Sequence, residues 1–252
     1  MDRKERLIVI GVAMHNNSLD IKRCITSILK QKKIKREIHI VIGNDNSTDD
    51  WKEVLNDLII ENKEGISILD LNNSNVVNTR NDINNFIIKN IENTELIGRL
   101  DADDEYSDEF VLSSIEKILD KNNPDLILAG NYLRKNNIIC NRVNRSTAKL
   151  QDIDYLKERV LRMSEGDKSS ELPSCNLFIR PNVLLPYPNI ESGEDHLLLL
   201  NYLTSKKRYN WHFAESLLAV IYNLNGTSTS NNKNSNTYLA SRLEMFNKIN
   251  IA

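Results

Sequence analysis

The stretch Leu96-Ile97-Gly98-Arg99-Leu100-Asp101-Ala102-Asp103-Asp104 decides the fold. It begins as a largely apolar run, the signature of a strand covered on both faces of a parallel sheet. It ends in three carboxylates within four residues. Open α/β sheets hold ligands just beyond the carboxyl ends of their strands, so Asp101, Asp103 and Asp104 are expected on a ligand-binding edge. A hard divalent cation, Mg²⁺ or Mn²⁺, takes such oxygen ligands while leaving positions open for phosphate. A lone Asp-x-Asp is also what a solvated turn with Asx-type bonds looks like, so the surrounding pattern has to decide.

Upstream, the runs Leu7–Val12, Glu37–Ile42 and Ile66–Leu69 read as strands separated by helical periodicity. That alternation forces parallel strands with crossover helices. In the first helix Ile21, Ile25, Ile28 and Leu29 share a face, Ser18 is placed to cap the start, and Lys30-Gln31-Lys32-Lys33 closes the end. Trp51, Val54, Leu55, Leu58 and Ile59 line a second helix, and Ile83, Phe86 and Ile87 a third. Asp45 ends the second strand on the same edge as Asp101. Ser47 and Asp50 beyond it have capping-box spacing, which leaves Asp45 free for a ligand.

Downstream, the pattern predicts a helix around Phe110–Leu119, a strand at Asp125–Ala129 and hairpins in the polar stretch Asn131–Thr147. A helix near Asp152–Met163, a strand at Cys175–Ile179, a loop marked by Pro181, Pro186 and Pro188, and a strand at Leu217–Tyr222 follow. The Ser/Thr/Asn-rich segment Asn223–Asn236 is expected to be mobile and to close over a bound ligand. A helix opens at Glu194, so Glu194 and Asp195 lie in a first turn, where the helix dipole keeps a carboxylate ionised and available as a base. Ser192 and Asp195 also have capping-box spacing, and a purely structural role is as compatible with the pattern as catalysis.

Composition closes off other classes. Thirty-three Lys+Arg stand against 35 Asp+Glu, a net charge of −2, so the basic excess that binds nucleic acid is missing. No apolar run approaches the roughly 20 residues that span a bilayer, and Met1–Arg6 leads into a strand without signal-peptide features; a soluble, cytoplasmic protein with no transmembrane segment is expected. Cys24, Cys140 and Cys175 are too far apart for a metal knuckle and read as reduced packing residues. His15, His39, His196 and His212 lack zinc spacing. The basic run Lys30–Arg36 is a cationic helix end with no assigned function.

Together these segments resemble the family 2 glycosyltransferases of GT-A fold, inverting and nucleotide-sugar dependent, including the spore-coat polysaccharide transferase group. The resemblance runs from about Ile8 to about Ser230. It rests on Gly11–Asn17, Ile25–Gln31, Asn44-Asp45-Asn46-Ser47-Thr48-Asp49, Thr79-Arg80-Asn81, Leu100–Asp104 and Gly193-Glu194-Asp195-His196, all in the family's order. It implies a Rossmann-like α/β fold with a central, mostly parallel mixed sheet flanked by helices. It also implies one domain over 1–252, with a nucleotide-binding half (1–104), an acceptor-binding half (105–230) and a C-terminal tail helix (231–252).

By the same resemblance Asp45 bonds the uracil edge, His15 stacks on the base beside Asn16, Arg80 braces base or ribose, and Asp101 contacts the ribose side. Asp103 ligates Mn²⁺ or Mg²⁺, Asp195 is the catalytic base, and Glu194 orients the acceptor. The implied reaction moves one sugar from a nucleotide sugar, a UDP-sugar by the Asp45 reading, to a glycan, lipid-linked or other hydroxyl acceptor in cell-surface polysaccharide or glycoconjugate synthesis. Asn44 replaces the family's first Asp, and Asn223-Leu224-Asn225 stands where many members have Arg-x-His. The processive members' QxxRW signature is absent, which points to single-sugar transfer. A non-catalytic sugar-nucleotide-binding module of the same fold stays open as the alternative. A haloacid-dehalogenase-like phosphatase would need Thr or Val soon after its second Asp, where this chain has Asp104-Glu105-Tyr106.

Overall fold

A computed structural model describes residues 6–141, 148–167, 172, 175–190, 192–223 and 235–251. The first half alternates as its periodicity requires: β1 (Leu7–Met14), α1 (Ser18–Leu29), β2 (Glu37–Asp45), α2 (Trp51–Glu61), β3 (Ile66–Leu71), α3 (Val76–Asn90) and β4 (Thr94–Asp101). Then come β5 (Glu105–Tyr106), α4 (Val111–Asn122), β6 (Leu126–Lys135), β7 (Ile138–Asn141), α5 (Ile153–Ser164), β8 (Leu177–Ile179), α6 (Glu194–Leu203), β9 (Trp211–Asn223) and α7 (Ser235–Ile251).

One sheet runs in the order β3-β2-β1-β4-β8-β6-β9-β5, with β7 paired to β6. β1 lies parallel to both β2 and β4, and Ala13 is level with Gly43 on one side and Asp101 on the other. The chain adds strands outward from β1 in one direction and then restarts with β4 on β1's other side. That reversal opens a crevice beyond the strand ends. β8 is antiparallel to β4 and β6, and β9 runs parallel to β6.

Strand alternation divides the core. Ile8, Ile10 and Val12 of β1 face α1, α2 and α4, whereas Val9, Val41 and Ile97 pack under Ile83 and Ile87 of α3. Glycine lets α3 sit close to the sheet: a Cβ on Gly43 would lie 2.6 Å from Ile83 Cδ1, and one on Gly11 2.8 Å from Ile83 Cγ2. A further cluster joins β6, β8, α5, α6 and α7 through Leu128, Val160, Leu198 and Met245. At the end of β4 away from the crevice, Glu95 accepts from Arg36 (2.6 Å), Arg6 (3.0 Å) and Arg180 (3.3 Å).

Several expectations are corrected. Ser18 does not cap α1: it is the first residue of the helix itself, with its N–H bonded to Asp49 Oδ2 (2.6 Å), and Asn17, which holds the cap position, makes no side-chain cap bond. The Ser47/Asp50 box does not form, because Ser47 Oγ is taken by Asn16 N (3.0 Å), a partner from another loop. The Ser192/Asp195 box is absent too: Gly193 precedes α6 at φ 76°, and Ser192 Oγ accepts from Arg242 (3.2 Å). β9 begins at Trp211, not Leu217, because Glu215–Leu217 bulges out: Ala129 is level with Ala214, and the next residue, Gly130, with Leu218. The expected hairpin is β6–β7, and residues 142–147 of that stretch lie outside the described residues. Of the segment expected to be mobile, 224–234 lie outside them as well; Asn223 closes β9, and Asn236 lies in α7. No helix among the described residues is long and apolar enough to cross a membrane.

Candidate active site

The crevice edge is built by three strand ends. After β1, the His15 ring Nδ1 lies 2.6 Å from the Asp45 carbonyl, which can only accept, so Nδ1 carries the proton and Nε2 accepts from Asn16 Nδ2 (3.1 Å). Asn16 adopts a left-handed turn (φ 52°) and accepts from Thr48 N at 2.8 Å, which fixes the loop after β2 against the loop after β1. The buried Asp45 carboxylate accepts the N–H groups of Asn73 (2.6 Å), Ser74 (3.1 Å) and Asn75 (3.2 Å). It thereby shapes the turn whose last residue, Asn75, caps α3 through its own side chain. A carboxylate has about four lone-pair directions, so roughly one remains for a ligand.

Deeper in the crevice two buried guanidinium groups join β4 to α6. Arg80 donates to Asp101 Oδ1 (2.8 Å) and to Glu194. Arg99 donates to Asp101 Oδ2 (3.3 Å), Asp195 Oδ2 (3.4 Å) and Cys175 Sγ (2.6 Å), and its Nη1 lies 3.3 Å from Tyr187 Oη. Both guanidiniums lie over the Tyr187 ring, at 5.6 and 5.7 Å from its centroid. The Cys175 thiol, held protonated by burial, donates to Asp101 Oδ2 (3.1 Å). Burial raises the Asp101 carboxyl, but Arg80 and Arg99 together outweigh it and hold the group below the ordinary carboxylate range. Asp195 Oδ1 accepts from His196 N (2.8 Å), and the Asp195 side chain keeps 16% of its surface exposed, against 9% for Glu194.

Past Asp101 the turn crowds two more carboxyl groups into buried surroundings. Burial and then the Asp101 charge push Asp103 up to about 6; burial and then Asp103 and Asp101 push Asp104 well above its usual range. Asp104 Oδ1 accepts from Asn223 N (2.9 Å), while Arg23 reaches the Asp103 carbonyl oxygen (2.7 Å). Asp103 and Asp104 resist ionising beside the ionised Asp101, and carboxylate oxygens crowded in this way are the ligands a hard divalent cation takes. One ligand atom each from Asp101, Asp104 and Cys175 lie within 4.8 Å of one another, although a thiol engaged by Arg99 and Asp101 is a poor ligand for such an ion.

The structure thus brings His15, Asn16 and Asp45 together on one side, and Arg80, Asp101, Glu194 and Asp195 together on the other, with Asp103 at the turn between β4 and β5. Three residues went unrecognised in the sequence. Arg99 had a signal, since a residue two positions before Asp101 on a strand shares its face. Cys175 and Tyr187 had none; they arrive from a turn and a loop far along the chain. A polar groove of about 750 Å³ lined by Asn75, Asn189, Ile190, Asn236, Ser241 and Glu244 opens between the cap of α3 and α7.

Residues 9–181 match the family model described as Glycosyl transferase family 2, a match that stops before α6. No curated protein sequence matches the chain. Among solved structures, the chain is similar to TarS 1–349 from S. aureus in complex with UDP-GlcNAc, with a TM-score of 0.67 and 16% identity over 97% of this chain and 66% of that one. TarS 1–349 in complex with UDP gives 0.56 and 20% over 83% and 60%. The mannosyltransferase PcManGT from Pyrobaculum calidifontis, in complex with GDP-Man and Mn²⁺, gives 0.58 and 10% over 90% and 59%. At these identities the likeness is one of fold, and the chain spans less than two thirds of each of these proteins' length.

Proposed function

The chain belongs to glycosyl transferase family 2 and has the GT-A fold, and from that premise we propose that it moves one sugar from a UDP-sugar to a hydroxyl of a glycan or lipid-linked acceptor, with inversion, in cell-surface polysaccharide or glycoconjugate synthesis. The observation that carries the reading is Asp195: a partly exposed carboxylate in the first turn of α6, linked through one guanidinium to Asp101 on the crevice edge. The acceptor O–H proton passes to Asp195 as the acceptor oxygen bonds the anomeric carbon. The bond from that carbon to the diphosphate oxygen breaks, and its electron pair leaves with the nucleoside diphosphate. Attack on the face opposite the departing group inverts the centre.

In this reading His15 stacks on the uracil beside Asn16, and the lone-pair direction left on Asp45 accepts from the uracil N–H. Asp101 meets the ribose, and Arg80 braces that subsite through its bond to Asp101. Glu194 orients the acceptor. Asp103, with the neighbouring carboxylates, would hold Mn²⁺ or Mg²⁺, which when bound supplies positive charge to the diphosphate. The relatives solved with UDP-GlcNAc, UDP and GDP-Man support a nucleotide-sugar donor, and the one solved with Mn²⁺ supports a divalent metal. The amide- and hydroxyl-lined groove beside α7 suits a polyhydroxyl acceptor.

Calorimetry with UDP, GDP and CDP, followed by UDP-release assays on UDP-GlcNAc, UDP-Glc and UDP-Gal, tests the reading. Tighter binding of UDP and measurable release from at least one donor are expected. Preference for GDP or CDP refutes the role of Asp45, and binding without any release favours the non-catalytic module.

A further inference from the structure

Asp101 and the first turn of α6 are laced together by two arginines in parallel. One Asp101 oxygen goes through Arg80 to Glu194, and the other through Arg99 to Asp195. Arg99 is in turn clamped by Cys175 Sγ (2.6 Å), Tyr187 Oη (3.3 Å) and the Tyr187 ring. Because Asp195 Oδ1 already accepts from His196 N at 2.8 Å, the contact of Arg99 with Oδ2 at 3.4 Å holds the second oxygen and sets the plane of the carboxylate. A base so held presents its lone pairs in one direction.

We infer that Arg99 is a positioning residue that aligns Asp195 with the donor edge. The inference rests on the transferase reading with Asp195 as base. Arg99 touches no reacting atom; it acts through Asp195, and through Asp101 it ties the base to the strand end on which the nucleotide docks. Nη2 alone reaches Asp101, Asp195 and Cys175 while Nη1 meets Tyr187, so lysine, with one nitrogen and no planar fork, loses the Tyr187 clamp that fixes the orientation of the bridging group. Displacing a catalytic group by about 1 Å costs up to roughly 100-fold in rate, which sets the size of the effect.

The test is a cycle of wild type, Arg99→Met, Asp195→Asn and the double variant, with Arg99→Lys alongside. UDP release is measured on whichever of UDP-GlcNAc, UDP-Glc and UDP-Gal the wild type turns over fastest. Arg99→Met and Arg99→Lys are expected to lower kcat by about 10- to 100-fold while KM for donor and Kd for UDP stay within about threefold. In the Asp195→Asn background, Arg99→Met should change the residual rate by less than about twofold, because a group acting through Asp195 has nothing left to position. Independent, multiplying losses in the double variant would show a merely structural role and overturn the inference, as would full activity in Arg99→Lys. Where Arg99→Met folds poorly by circular dichroism, Tyr187→Phe replaces it in the cycle, since it removes only the hydroxyl partner of Arg99. A wild type that releases no UDP from any donor refutes the transferase reading and the role of Arg99 with it. An active wild type matched in kcat by the folded variants refutes the role of Arg99 alone.

Discussion

Replacing Gly193 by Ala tests the geometry that delivers Glu194 and Asp195. Gly193 sits at φ 76°, where a non-glycine residue costs about 1–2 kcal/mol. A Cβ there would meet Arg242 Nη1 at 2.4 Å, Arg242 Cζ at 2.9 Å and Met245 Cε at 2.9 Å. The Arg242 guanidinium has to move. It then gives up its bond to Ser192 Oγ (3.2 Å) and its place over the Tyr238 ring (4.2 Å), interactions worth about 1–2 kcal/mol together. The expected loss is about 2–4 kcal/mol, which for a domain of this size lowers Tm by roughly 5–15 °C. Thermal unfolding followed by circular dichroism reads it. Gly193→Asn separates the two contributions, because Asn tolerates the left-handed region but still displaces Arg242, so its Tm should fall between those of wild type and Gly193→Ala. A Gly193→Ala variant melting within about 1 °C of wild type would refute both the turn conformation and the packing of α7 against it.

Asp195→Asn should lower transfer by about 10²- to 10⁴-fold while UDP affinity and Tm hold, since the amide keeps the shape but cannot take the proton; near wild-type turnover would move the base elsewhere, with Glu194 first in line. EDTA should weaken UDP binding measured by calorimetry, and Asp103→Ala should abolish that sensitivity; binding indifferent to both removes Asp103 from the metal assignment. Burial raises the Glu95 carboxyl, but Arg36, Arg6 and Arg180 hold it below the usual range, so its contribution is present above the unfolded value of about 4.3 and fades as pH falls through the lower folded one. The stability gap between wild type and Glu95→Gln in urea unfolding should therefore be full at pH 7 and shrink as the pH is taken down below the unfolded value, and a gap that does not change with pH contradicts the pairing.

The sequence disclosed the crevice better than its interior. Asp45 and Asp101 were legible because each ends an apolar run, and strand ends on one side of a parallel sheet must meet. The strands themselves were legible from the same runs, down to Leu7 and Glu37 as starting residues. Capping was misread at Ser18, Ser47 and Ser192 for a common reason. A cap at Ser18 and the boxes at Ser47 and Ser192 were read from local spacing, whereas the partners that engage these residues, Asp49, Asn16 and Arg242, come from loops and a helix brought close only by the tertiary fold. The two-residue β5 carries too few residues for any period, and the bulge in β9 breaks the alternation that would have shown its full length. Cys175 was read as packing from its spacing to other cysteines; its contact with Arg99 depends on β8 lying between β4 and β6.

The turn Ala102–Asp104 connects strands that stand far apart in the order of the sheet, β4 near its middle and β5 at its outer edge beside β9. Four peptide steps from Asp101 to Glu105 reach at most about 14 Å. The sheet must therefore curl until its last strand returns to the mouth of the crevice, and the acidic turn acts as a short tether across that mouth. Strands β5 and β9 cannot swing away from β4 without breaking it. Any widening of the crevice has to come from the opposite bank, where, among the described residues, α6 is tied to Asp101 through Arg80 and Arg99 and α7 to Ser192 through Arg242.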